Sequence, residues 1–410
     1  MNIIHGDCLE ELKKLEDNSV DAVVTDPPYG LSNTKPAQVA DVLKAWVTGN
    51  RSFAPSGKGF LKSSWDGFVP PPAVWDECLR VLKPGGHMAV FAGARTQHLM
   101  GLSVTLAGFE IRDTLAWIYG SGMPRSMDVT KAIDAEVLYG ATHSSEISKV
   151  RKARTNDNPL TSEGKAWRGW GTVLKPAIEP ILLARKPLDG TLASNVLAHS
   201  VGGLNIDACR MSSGEPASTG RFPANVLLDE RAAAEIDEQS GESKTPARIT
   251  ASSGGILMLD GCASLEELEH LAKMGAKTPS GCSAEKTLAR YRERGGLKEH
   301  ECYGDEGGAS RFFPVFKYQA KAPKKERPVI EREDGTKIQH PTVKPVALME
   351  WLVELITPPG GTVLDPFAGS GTTLQAALNK GFTPIGIEQD ADYIKLIEKR
   401  LEGLCTTHKN

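Results

Sequence analysis

Two apolar runs near opposite ends of the chain stop at the same dipeptide, Asp-Pro. Val20-Asp21-Ala22-Val23-Val24-Thr25 leads into Asp26-Pro27-Pro28-Tyr29, and Thr362-Val363-Leu364 leads into Asp365-Pro366-Phe367-Ala368-Gly369-Ser370-Gly371. A short apolar run that ends in a turn reads as a strand buried on both faces, as in a parallel sheet. Ligands bind such sheets beyond the carboxyl ends of the strands, which is where both dipeptides fall. One sheet must therefore draw strands from both ends of the chain and carry the residues between them outside.

The remaining pattern agrees with an α/β body. Further strands are expected at His87-Met88-Ala89-Val90-Phe91, Thr114-Leu115-Ala116-Trp117-Ile118, Glu179 to Lys186 and Ile385-Gly386-Ile387-Glu388. Helices are expected after Asp7, which is placed to cap Leu9, Leu12 and Leu15, and on the stripe Val74, Cys78, Leu79, Leu82, stopped by Pro84-Gly85-Gly86. Val346 to Ile356, Thr372 to Leu378 and Asp390 to Leu401 complete the helical set. This divides the chain into 1–190, with an excursion over 121–178, an inserted region 191–310 richer in Gly, Ser and charge, and 311–410.

Composition narrows the class. At 410 residues, 40% hydrophobic and 24% charged, the chain has ordinary globular usage, which excludes wholesale disorder and collagen. No run reaches the roughly 18 apolar residues of a membrane span and Met1 to Asp7 lacks a secretory pattern, so the sequence reads as cytoplasmic with no membrane partner. Seven cysteines without a Cys-x-x-Cys pair speak against a zinc site, and no metal is expected. With a net charge of −3, any nucleic-acid partner must meet positive charge concentrated on one face.

Asp26-Pro27-Pro28-Tyr29 makes a cup for a planar group bearing an amine. The prolines stiffen the backbone and present the Pro27 carbonyl beside the Asp26 carboxylate, with an aromatic ring two residues on. An exocyclic amine on a nucleobase is a weak nucleophile because its lone pair is delocalised; N–H bonds to two acceptors localise it. The second motif puts Gly369 and Gly371 in a strand-to-helix turn, where backbone can approach a cofactor closely. Leu374 stands where a dinucleotide fingerprint needs its third glycine, and no phosphate-loop lysine follows. Glu388, 17 residues past Gly371, is placed to accept bonds from ribose hydroxyls.

Together the two motifs resemble the S-adenosylmethionine-dependent amino-methyltransferases of DNA, and their order, catalytic motif first, resembles the β group of that family. The resemblance covers about 1–190 and 311–410. It implies a Rossmann-like methyltransferase fold with a mixed, mostly parallel sheet, circularly permuted motif order and an inserted target-recognition module over 191–310. It implies S-adenosylmethionine as cofactor, double-stranded DNA as partner, and transfer to adenine N6, the base that Asp at the head of the motif favours over cytosine N4. Members of the family often dimerise. The catalytic residues implied are Asp26, Pro27, Pro28 and Tyr29. The cofactor site implied comprises Asp7, Cys8, Asp26, Thr342, Lys344, Asp365, Phe367, Ala368, Gly369, Ser370, Gly371, Thr372, Glu388 and Gln389. Thr342 and Lys344 belong to His340-Pro341-Thr342-Val343-Lys344-Pro345 and are expected near the methionine moiety, while Asp7 is expected on the adenine amino group. Leu79 to Gly86 reads as scaffold. The rivals are a cytosine-N4 enzyme, a catalytically silent DNA-binding homologue, and an amino-methyltransferase of protein or RNA.

Leu31 to Ser64, ahead of Trp65-Asp66-Gly67, is expected to form a mobile loop over a flipped base. Phosphate contacts are expected from Lys149, Arg151, Lys152 and Arg154, and from Lys317, Lys321, Lys324, Lys325 and Arg327; residues 311–332 hold seven basic and two acidic residues. Trp167-Arg168-Gly169-Trp170 reads as either a stacking element or two core tryptophans.

Overall fold

The fold is described from a computed structural model covering residues 2–402, except 33, 56–65, 121, 123–125, 141–147, 151–158, 212–219, 245–249, 252–264, 279–282, 294–296, 299–305 and 317–325. Trp65, Arg151, Lys152, Arg154, Lys317, Lys321, Lys324 and Lys325 thus lie outside the described residues. Contacts divide the chain into two compact units, Met1–Trp117 with Pro180–Asn410, and Ile118–Glu179.

The larger unit is built on one nine-stranded sheet. Its strands are β1 (Asn2–His5), β2 (Val20–Thr25), β3 (Leu82–Phe91), β4 (Glu110–Ile118), β5 (Ile178–Arg185), β6 (Val226–Asp229), β7 (Val315–Phe316), β8 (Thr362–Asp365) and β9 (Thr383–Glu388). Their order is β1-β9-β8-β2-β3-β5-β4-β6-β7. The first five run parallel: His5 pairs with Glu388, Asp365 with Gly386, Leu364 with Val23 and Thr25 with Val90. β5 then reverses against β3, pairing Phe91 with Ile181. The parallel register brings the residues after β1, β2, β3, β8 and β9 to one edge of the sheet, although they come from both ends of the chain.

Burial on both faces explains the apolar runs, since every residue of β2 is buried. Helix α1 (Cys8–Leu12) is capped as expected, with Asp7 Oδ1 accepting from the Leu9 and Glu10 N–H groups at 3.0 and 3.2 Å. Helix α3 (Pro72–Val81) buries Val74, Trp75, Cys78 and Val81. It ends before Leu82, which already belongs to β3; Pro84, Gly85 and Gly86 form an irregularity within that strand rather than the helix stop. The C-terminal helices α5 (Val346–Ile356), α6 (Thr372–Asn379) and α7 (Ala391–Leu401) lie where their patterns put them.

Of the stretch 31–64 expected as a loop, residues 56–64 lie outside the described residues, and 34–55 depart from expectation. They hold helix α2 (Pro36–Val47), opened by Pro36, with Val42 and Trp46 buried and Val39 and Leu43 packed on the same core. Trp46 meets the Phe68 ring edge-on at 5.9 Å and donates its indole N–H to the Phe53 carbonyl at 2.7 Å. This helix is part of the core, not a loose cover. Within 191–310, β6 joins the main sheet, and its last residue, Asp229, caps the helix Glu230–Ser240.

The smaller unit has its own frame. Helix Val129–Tyr139 is capped by Asp128 and closed by left-handed Gly140, and buried Asp134 accepts from the N–H groups of Leu160 and Thr161 and the Thr161 hydroxyl. Among the described residues, no helix is long and apolar enough to cross a membrane.

Candidate active site

The parallel strand ends converge on Asp26. Lys344, from the segment entering α5, donates to Asp26 Oδ2 at 2.5 Å and reaches the Tyr29 hydroxyl at 3.1 Å, while that hydroxyl donates to Asp26 Oδ1 at 2.7 Å. Both carboxylate oxygens are therefore held in a defined orientation. The Lys344 ammonium also stands 5.3 Å from the Tyr29 ring centroid and 4.8 Å from that of Phe91, the last residue of β3. A desolvated cation between aromatic rings gains from their negative faces, and Lys344 is only 8% exposed. Asp26 keeps about a fifth of its side chain open, so its carboxylate remains reachable.

The turn carrying this motif is fixed from behind. Thr96 donates its hydroxyl to the Tyr29 carbonyl at 2.6 Å, and buried Asp66 accepts from Gly30 N–H at 2.7 Å and from Leu31 N–H at 3.4 Å. Gly30 has φ +66°, and a Cβ there would stand 2.7 Å from the Val69 nitrogen, so no other residue fits. Thr96 was absent from the sequence-derived site, and Asp66 appeared there only as part of a loop flank; neither carries a local pattern that links it to Tyr29.

The second Asp-Pro turn lies on the neighbouring strand. Asp365 is buried and accepts from the Thr25 hydroxyl at 2.7 Å and from Phe367 N–H at 3.0 Å. Thr25 immediately precedes Asp26, so this bond ties the two motifs together. Burial pushes the Asp365 carboxyl up to about 6, against the bonds from Thr373, Thr25 and Phe367 that favour its ionised form. Phe367 packs against the buried indole of Trp75.

Glu388 closes the far side. Its carboxylate accepts from Gly369 N–H at 2.8 Å and from Asp390 N–H at 2.9 Å, which fixes both oxygens, and burial raises its pKa. Gly369 and Gly371 have φ +53° and +78°, and a Cβ on them would stand 3.0 Å from His340 and Ile397 respectively. Ala368, Ser370 and Thr372 are buried in the same turn, and Arg400 donates to the Ser370 carbonyl at 2.6 Å. Gln389 gives its carbonyl to His5 at 3.2 Å, and Gly6 N–H donates to the Glu388 carbonyl. Asp7 and Cys8 follow directly. The thiol of Cys8 is pushed up to about 12 by burial and then by Asp7, which leaves it un-ionised at neutral pH. His340 donates its Nδ1–H to the Thr342 carbonyl at 2.7 Å, stacks edge-on with Tyr393, and is kept below its ordinary pKa by burial.

A family described as DNA methylase matches residues 20–399. The chain belongs to this N6/N4 DNA methylase family. Among curated members, it is 26% identical over 230 residues to the Type II methyltransferase M.HindIII of Haemophilus influenzae, covering 50% of this chain and 64% of that one. It is 48% identical over 63 residues to the DNA adenine methyltransferase YhdJ of Escherichia coli, covering 15% and 21%. The chain spans less than two thirds of the length of the curated relatives it matches. Among solved structures, TTHA0409 of Thermus thermophilus, crystallised as a complex with S-adenosylmethionine, aligns over 99% of this chain and 97% of its own at 18% identity and a TM-score of 0.40. In this member of the family the glycine turn, Glu388 and Asp26 lie along one sheet edge, contributed by segments from both ends of the sequence.

Proposed function

We propose that the chain is a site-specific DNA methyltransferase that moves a methyl group from S-adenosylmethionine to N6 of adenine in duplex DNA. The observation that carries this reading is the Asp26 carboxylate, oriented by Tyr29 and Lys344 and still partly open, one strand away from the glycine turn. The residues around that turn fit the cofactor. Gly369 and Gly371 hold the positive φ that shapes the turn and let His340 and Ile397 pack against it, and the fixed Glu388 carboxylate offers remaining lone pairs to hydroxyls. Asp7 caps α1 through Oδ1, and its other oxygen is the acceptor assigned to the adenine amino group. Thr342 and Lys344 complete the site.

S-adenosylmethionine supplies an electrophilic methyl on a positively charged sulfur. The protein supplies position: Asp26 and the Pro27 carbonyl accept the two N–H groups of the target amine, which localises its lone pair, and Tyr29 stacks on the base. The carboxylate also stabilises positive charge as it develops on the nitrogen. The amine is inaccessible inside a duplex, so the base must be flipped out at a cost of a few kcal/mol. Asp at the head of the motif and the adenine methyltransferase named among the relatives support N6 over cytosine N4. M.HindIII bears a Type II name, which supports a role in a restriction-modification system.

Sequence recognition is assigned to 191–310. At its border, the guanidinium of Arg221 from this region stands 4.4 Å from the ring centroid of Phe312, which lies just outside it. The test is transfer of labelled methyl to duplex DNA in competition with unlabelled duplex or RNA. The reading predicts loss of label with duplex alone, and competition by RNA with equal strength contradicts it.

A further inference from the structure

Trp167 and Trp170 are surface residues, 45% and 60% exposed, which removes the reading of two core tryptophans. Their rings meet edge to face with centroids 5.1 Å apart. The backbone beneath them is firmly held: the Thr130 hydroxyl donates to the Trp167 carbonyl at 2.9 Å, Val129 N–H donates to the Trp170 carbonyl at 3.0 Å, and Asp128 bridges to Gly171. Gly169 between them has φ +85°, the left-handed region that favours glycine. Leu174, four residues on, is 91% exposed.

We propose that Trp167–Leu174 is a nucleic-acid stacking surface, in which the two indoles take unpaired bases and Lys165 and Arg168 take the adjoining phosphates. The inference rests on the reading of the chain as a base-flipping DNA methyltransferase. Flipping leaves one base without its partner and one step without its stack, and aromatic faces and exposed apolar wedges are the chemistry that fills such gaps. Rigid indoles stack with little loss of side-chain entropy, and the fixed backbone lowers the cost further. Charge agrees: residues 159–178 contain Lys165, Arg168 and Lys175 against one acid, Glu163, in a protein of net −3. A protein-binding patch is depleted in lysine at its centre, whereas a stacking surface for nucleic acid interleaves aromatic and basic side chains.

The test compares the full-length wild type with the double variants W167L/W170L and W167F/W170F on a fluorescein-labelled duplex that the wild type methylates. Leucine keeps apolar bulk without a π-face; phenylalanine keeps the face. The expected result is quenching of wild-type indole emission by the duplex, a loss of affinity of about tenfold or more in the leucine variant, and recovery to within about threefold in the phenylalanine variant. Should the leucine variant not fold, Arg168→Glu is expected to weaken binding and flatten its salt dependence. Equal affinity of the leucine variant, or of Arg168→Glu where that variant stands in, overturns the inference while leaving the methyltransferase reading intact. A change in sedimentation of the leucine variant without a change in DNA affinity overturns it in favour of self-association. A wild type that neither binds nor methylates any duplex removes the methyltransferase reading itself, and the inference with it.

Discussion

The two Asp-Pro turns occupy adjacent strands and carry the same dipeptide, yet their carboxylates live differently. Asp365 is sealed, 2% exposed, and its described partners are hydroxyl and backbone donors with no cation among them, so burial dominates and its carboxyl rises to about 6. Asp26 faces an ammonium and a phenol and stays partly open. One aspartate shapes a loop; the other offers its charge to whatever enters. Neighbouring side chains, not the motif, decide which role a carboxylate takes, and Thr25 couples the two by bonding one while leading into the other.

Four experiments break or sharpen this contrast. Asp26→Ala removes the acceptor of the amine and is expected to lower methyl transfer by about a thousandfold while leaving cofactor affinity, read by calorimetry, within about threefold. Near-wild-type transfer contradicts the role assigned to Asp26.

Asp365→Asn is expected to act on stability instead. Because the folded carboxyl titrates near 6, above its ordinary 3.8, protonation favours the folded state. That contribution is complete below about pH 4 and is lost as pH rises through about 6. At pH 8 the wild type therefore carries the cost of a buried charge that the neutral amide avoids. The variant should melt higher at pH 8, with the gap closing toward pH 4; a gap independent of pH refutes the assignment.

Asp66→Ala leaves the Gly30 and Leu31 N–H groups without their buried acceptor, worth roughly 1–3 kcal/mol. Transfer should fall by roughly 5- to 100-fold, with little change in cofactor binding. Smallest is Tyr29→Phe, which keeps the stacking ring and loses one bond to Asp26, so a drop of about tenfold or less is expected. A loss as large as that of Asp26→Ala means that the hydroxyl, not the ring, does the chemistry.

The strands bearing the motifs were legible because complete burial writes a continuous apolar run, as in Val20–Thr25. The helix Pro36–Val47 was missed although Val39, Val42, Leu43 and Trp46 stand at i, i+3, i+4 and i+7; flanking Gly, Ser and Lys made the stretch look like a loop. Strand Val226–Asp229 is only four residues long, too short for any period to show. The pairing of Lys344 with Asp26 spans 318 residues, and its partners are set by sheet order alone. Sequence supplied the motif, and the fold supplied the cation beside it.

The central claim, methyl transfer by the Asp26 cup, is tested most directly by mass spectrometry of nucleosides from unmodified duplex DNA incubated with S-adenosylmethionine and either the wild type or Asp26→Ala. The account predicts N6-methyladenine with the wild type and none above background with the variant. N4-methylcytosine in its place contradicts the base assigned, and no methylated base despite demonstrated cofactor binding contradicts the claim itself.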